Sequence, residues 1–405
     1  MINFSDKTKP ALVLSGGGVK AAAFHLGVCL ALREKGFKFA GGNAEKVKSQ
    51  FPDDKMTIKT YVGSSAGSLI STFLAAGYTI ESIIEAFIEG AGSESFIPKR
   101  YTSKKDQKLK PITYRDIFAM NVRGYHPARF LPSLMKKQPV ITGGLEVLLK
   151  KGFKVNGIFS TRNIERYFRE HVLEDNSFES LGVQLYVIAT QLNYSRKVIF
   201  SDFEESYKDD DVKKVSYAKI SEAVAASASL PPVFRPYGIK NASGKENFFF
   251  DGEIRDTLST HVAADHGADL VIASYSIQPY HYHEDMGSLH EYGMPIILNQ
   301  ALYQAVEQKI NKHRKHRTEL RNLVNAVHGY LKEIDLPQEN RDKLMDILID
   351  KTNYKPNVEY LYIHPSAQNY KMFFYDHFSL NPDILAQIVR VGFKTAMFKL
   401  RRYKF

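Results

Sequence analysis

Apolar and polar positions follow two rhythms along this chain. Short apolar or alternating runs at 11–14, 56–62, 185–190, 197–201, 248–251, 270–275 and 360–364 predict strands. Between them, apolar residues recur three and four apart and predict helices over 21–34, 66–76, 79–90, 160–172, 221–228 and 261–266. Thr79 is placed to cap the 79–90 helix. Pro231, Pro232 and Pro236 stop the 221–228 helix, because proline has no N–H to continue the ladder. Strand and helix in alternation predict an α/β fold in three layers, a mainly parallel sheet with helices on both faces. The rhythm breaks twice. From 91 to 154 basic and apolar residues mix without a period, which reads equally as a lid-like insertion or as a solvated excursion. From 299 to 350 the pattern is helical and strongly charged, and a last helix follows over 383–398.

The stretch with most chemistry in it is Gly63-Ser64-Ser65-Ala66-Gly67, between the 56–62 strand and the 66–76 helix. It fits G-x-S-x-G, a tight strand-to-helix turn that lifts one serine hydroxyl clear of the sheet. The spacing selects Ser65, and the helix N-terminus there favours developing negative charge. A lone five-residue match is equally consistent with an ordinary Gly/Ser turn. Upstream, the 11–14 strand runs into Gly16-Gly17-Gly18-Val19-Lys20 and a helix, an arrangement whose loop N–H groups converge on an anion. A dinucleotide fingerprint fails at Ala21, and a Walker loop fails for want of Gly-Lys-Ser/Thr. An oxyanion hole for the later serine is the reading both motifs together favour.

A serine nucleophile needs a base. Asp251 ends an apolar strand and precedes Gly252, where a carboxylate projects from a strand end. His281, His283 and His290 cluster near Glu284 and Asp285 without metal-ligand regularity, which reads as a polar surface loop.

Composition changes the picture in three places. The 405 residues are 44% hydrophobic, enough core for one large α/β domain or two ordinary ones. The net charge of +11 suits an anionic partner, and dispersed basic residues with no recognised motif argue for a membrane surface over nucleic acid. The single cysteine, Cys29, excludes a disulfide framework and reads as a buried small hydrophobe. With no long apolar N-terminal core and no run of about 18 apolar residues, the chain reads as cytoplasmic and peripherally membrane-associated, or exported without an N-terminal signal. The tail 399–405 is basic and aromatic and suits an anionic membrane.

Taken in order, these segments resemble the patatin-like phospholipase family over most of the chain, 8–398. Gly16-Gly17-Gly18 with Lys20 looks like that family's oxyanion loop and its basic residue. Gly63-Ser64-Ser65-Ala66-Gly67 looks like its nucleophile elbow, and Asp251-Gly252 like its catalytic aspartate motif. The segments 226–234 and 267–273 are similar to further family segments. The resemblance implies a Ser65–Asp251 dyad without histidine, an acyl-serine intermediate, no required metal, and a phospholipid or lysophospholipid substrate. An acyltransferase or general esterase on the same dyad, and a catalytically idle lipid-binding module, are the alternatives. Two departures stand out: Ala21 replaces a usual glycine, and Glu253 follows Asp251-Gly252 where the family has Gly or Ala. Glu253 raises the pKa of Asp251 if it faces inward and does nothing if it faces solvent; both readings stay open.

Overall fold

A computed structural model describes residues 2–51, 55–88, 108–121, 156–204 and 211–405. Most of the expected 91–154 insertion lies outside the described residues.

Nine strands build the main sheet. In chain order they are β1 (Pro10–Leu14), β2 (Thr60–Ser64), β3 (Gln184–Gln191), β4 (Arg196–Phe200), β5 (Val212–Val215), β6 (Tyr237–Lys240), β7 (Glu246–Asp251), β8 (Leu270–Ser274) and β9 (Glu359–Ile363). The spatial order is β5-β4-β3-β2-β1-β8-β9, with β7 also paired to β3 and β6 to β7. The block β3-β2-β1-β8-β9 is parallel throughout; β4 and β7 both run antiparallel to β3. Two of these strands escape the hydrophobic pattern. Val-Lys-Lys-Val in β5 and Tyr-Gly-Ile-Lys in β6 sit at the sheet margin, where pairing rather than burial fixes them.

The helices that matter here are α1 (Gly18–Glu34), α2 (Ala66–Ala75), α3 (Ile220–Ser227), α4 (Met294–Glu333), α5 (Gln338–Thr352) and α6 (Pro382–Leu400). Side chains alternate across the central strands, so each strand feeds two cores. Leu12 and Leu14 of β1 and Leu270 and Ile272 of β8 face the side covered by α1, α2 and α6. Ala11, Val13, Val271 and Ala273 face the other side, under the Thr260–Asp265 helix and the 303–310 stretch of α4. Each fully buried Leu or Ile contributes about 2 kcal/mol, so these two cores anchor the strand ends that carry the site. Local signals agree with the packing. Thr79 Oγ1 accepts the Ser82 N–H at 3.2 Å, capping the helix Ile80–Ile88, and Asn381 caps α6 just before Pro382. Cys29 is fully buried and unpaired, and burial pushes its thiol up to about 12.

The helical region expected over 299–350 packs in part on the sheet: Tyr303, Val306 and Ile310 of α4 fill the second core. In the basic stretch 312–317, residues 312–316 are exposed and Arg317 is half-buried. Arg317 stacks on Tyr360 and donates to Thr260 Oγ1 at 3.1 Å, while Arg314 covers Tyr362, because guanidinium planes pack well on aromatic faces. The tail 399–405 is likewise part of the body. Tyr403–Lys404 pairs in parallel with Ile2–Asn3, and Phe405 meets Phe37 edge-on at 4.9 Å. Arg401, Arg402 and Lys404 remain exposed on it.

Candidate active site

The site forms where β1, β2 and β7 end. Ser65 sits between β2 and α2 with φ 51° and ψ −124°, a conformation that costs a non-glycine residue on the order of 1–3 kcal/mol. The surroundings hold it there. The Ser65 N–H donates to Ser227 Oγ at 2.8 Å, Ser227 in turn donates to the Ile188 carbonyl at 2.5 Å, and Ser68 Oγ donates to the Ser65 carbonyl at 2.6 Å. Gly67 allows the turn to close. A Cβ on it would lie 2.1 Å from the Leu14 carbonyl oxygen on the neighbouring strand.

Asp251, the last residue of β7, is 2% exposed, and its backbone is fixed on both sides. Its N–H donates to the Ser229 carbonyl at 3.2 Å, and its own carbonyl accepts Thr190 Oγ1 at 3.1 Å. Its carboxylate accepts the Glu253 N–H at 2.9 Å and faces the Ser65 hydroxyl. Burial pushes its pKa up to about 6, against the lowering effects of the Ser65 hydroxyl and the Glu253 N–H. A buried carboxylate beside a hydroxyl is placed to take its proton near neutral pH.

The glycine loop, residues 16–18, leads into the N-terminus of α1. Gly18 has φ +70°, and a Cβ there would meet the His377 carbonyl oxygen at 2.4 Å, so this position admits only glycine. Gly16 donates its N–H to Glu253 Oε1 at 2.9 Å. Lys20 does not point at the cavity. It is fully buried behind the loop, where its Nζ donates to Tyr303 Oη at 2.7 Å and to the Met372 carbonyl at 3.0 Å. Burial pulls its pKa down to about 7, Asp376 opposing. Tyr303 Oη continues to His377 Nε2 at 3.1 Å. Lys20, Tyr303 and His377 therefore form a polar brace between the loop, α4 and the segment before α6.

Histidine is present but differently employed. His377 is tied to Tyr303 through Nε2, and burial pulls its pKa down to about 4. His25 is buried between Ser274 Oγ and the Ser15 carbonyl, at 2.8 and 2.9 Å, also pulled down to about 4 by burial. His281, His283 and His290 lie in a loop leading to α4, none of them beside Ser65. The residues that sequence reading passed over are Ser227, Tyr303 and His377. Ser227 lies within the 226–234 segment and so carried a weak signal; the other two carried none.

A narrow cleft opens beside Ser65. Its walls are apolar: Val19, Leu69, Phe73, Phe168, Phe234 and Phe378 among others, with Asp116 the one carboxylate among the described residues. Ile112 and Ile117 come from 108–121, the described part of the expected lid-like insertion.

Comparison with known proteins now decides the family. The patatin-like phospholipase model matches residues 12–264, more than half of the chain. The chain belongs to the patatin-like phospholipase family. The matched span includes the glycine loop, the elbow and Asp251. A stretch of 90 residues is 37% identical to the uncharacterized protein YqhO of Bacillus subtilis, covering 22% of this chain. This patatin-like chain spans about a quarter of the length of that curated relative, 24%. The crystal structure of VipD from Legionella pneumophila is similar at a TM-score of 0.37 and 17% identity, over 98% of this chain and 67% of that one.

Proposed function

We propose that this protein is a lipid acyl hydrolase that cleaves carboxylic esters of phospholipids or lysophospholipids through an acyl-Ser65 intermediate. The observation that carries the reading is the juxtaposition of Ser65 with the buried Asp251 carboxylate, Ser65 itself lining an apolar cleft. Ser65 attacks the acyl carbonyl while Asp251 accepts the hydroxyl proton. The N–H groups of Gly17 and Gly18 hold the oxyanion, each donor worth roughly 3–4 kcal/mol, since Gly16 is already engaged by Glu253. Asp251 then returns the proton to the leaving alcohol, and water, deprotonated by Asp251, releases the fatty acid. The apolar cleft takes the acyl chain, and each buried methylene adds about 0.8 kcal/mol. Nothing in these steps calls for a metal.

The basic surface, net charge +11, brings the enzyme to an anionic bilayer. Fatty-acid release is expected to run faster on vesicles containing anionic phospholipid than on zwitterionic ones, with the difference shrinking as salt is raised from about 0.05 to 0.5 M. Equal rates on both, at every salt concentration, would remove the interfacial part of the reading. A labelled, active-site-reactive Ser65 with no fatty-acid release from any vesicle would favour the acyltransferase or small-ester alternative.

A further inference from the structure

Glu253 is turned inward, 7% exposed, and its Cγ and the Ser65 Cβ both crowd the same face of Gly16. Both atoms lie 2.8 Å from the point where a Gly16 side chain would begin. One carboxyl oxygen, Oε1, holds the Gly16 N–H at 2.9 Å, and the Glu253 N–H holds Asp251 Oδ1 at the same distance. The other, Oε2, is buried with no hydrogen bond of good geometry, as is the Ser64 hydroxyl beside it. A buried carboxylate oxygen with no donor is costly; a carboxylic acid O–H directed at a hydroxyl is not. The titratable groups acting on it are Asp251 and Asp256, both carboxylates; Asp256 is itself paired with Lys197 Nζ at 3.1 Å, and Lys309 Nζ donates to the Ile254 carbonyl at 2.7 Å.

We propose that Glu253 is a positioning residue of this site: it clamps the glycine loop through the Gly16 N–H, leaving Gly17 and Gly18 to face the substrate, and it carries the proton of the Asp251–Glu253 pair. The inference rests on the Ser65–Asp251 reading and deepens it. Neutral Glu253 leaves Asp251 as the only negative charge beside the nucleophile. Ionised Glu253 sets a second one next to the place where the oxyanion must form, which opposes it. Burial first, then the Asp251 charge, push the Glu253 pKa up to about 8, whereas Asp251 stands at about 6. Activity therefore rises as pH climbs through the lower value, when Asp251 becomes a base. It falls again as Glu253 ionises.

The test is the rate of Ser65 labelling by a fluorophosphonate between pH 5 and 10, which needs no knowledge of the lipid. It compares the full-length chain with E253Q and E253A, with thermal melts to confirm folding. Wild type is expected to give a bell with limbs near 6 and 8. E253Q keeps the Gly16 clamp and cannot ionise, so its alkaline limb disappears and it labels about tenfold faster than wild type at pH 9. E253A loses the same limb but also the clamp, and labels about tenfold or more slowly than E253Q at every pH. An alkaline limb shared by wild type and E253Q, or E253A labelling as fast as E253Q, would overturn the proposal while leaving the dyad standing. Failure of wild type to label at Ser65 at any pH would overturn the nucleophile assignment and this proposal with it.

Discussion

Ser65→Ala and Asp251→Asn are each expected to lower fatty-acid release by at least about 10⁴-fold, with melting temperatures close to wild type. The two substitutions act differently. Alanine at 65 removes the attacking oxygen and leaves the backbone bonds to Ser227 and Ser68 in place, so the elbow persists. Asparagine at 251 keeps the shape and can still accept the Glu253 N–H, but it has no charge with which to draw off a proton. Because nucleophile and base act as one unit, the double variant is expected to be no worse than either single one. Initial rates on mixed vesicles, paired with circular dichroism of each variant, check this. An Asp251→Asn protein retaining a tenth or more of the activity would mean that another group takes the proton. Histidine is then no easy substitute: both ring nitrogens of His25 are engaged elsewhere, and His377 is held by Tyr303.

Gly67→Ala is expected to have the second-largest effect, and to act through the fold. The new methyl would lie 2.1 Å from the Leu14 carbonyl oxygen, 2.5 Å from its carbon and 2.7 Å from the Ser15 oxygen, all backbone atoms of the strand beside the elbow. That strand is hydrogen-bonded on both flanks, to β2 and β8, so it cannot give way. α2 must shift instead, carrying Ser65 away from the glycine loop. A destabilisation of about 2–4 kcal/mol and loss of most Ser65 labelling are expected. Gly244→Ala provides the control, since its Cβ would meet nothing within 4 Å and only its φ of +78° opposes the change, at about 1 kcal/mol. Urea denaturation of the two variants side by side separates these cases.

What the sequence discloses and what it hides follow from the range of the interactions involved. The elbow and glycine loop are legible because each is a local geometry that only certain residues can adopt: glycine at 18 and 67, a serine at the strained turn. Asp251 is legible as a polar residue closing an apolar strand. The parallel core strands are legible because double burial writes continuous apolar runs. By contrast, Ser227 supports Ser65 across 162 positions, and Lys20 meets Tyr303 across 283. No periodicity reports such contacts. Glu253 is intermediate. Its identity was visible as a departure from the family pattern, but its direction is set by the Gly16 N–H 237 positions away. Nor does charge alone reveal that Arg317 lies on Tyr360 or that the tail pairs with Ile2–Asn3.

The central claim is that Ser65 carries the acyl group between substrate and water. Rapid-quench intact-mass measurement with a medium-chain nitrophenyl ester addresses it directly. The account predicts a burst of nitrophenol approaching one equivalent, a transient mass increase of one acyl group located to the peptide containing Ser65, and neither in Ser65→Ala. Steady ester turnover with no acylated protein, or acylation elsewhere that survives Ser65→Ala, would contradict it.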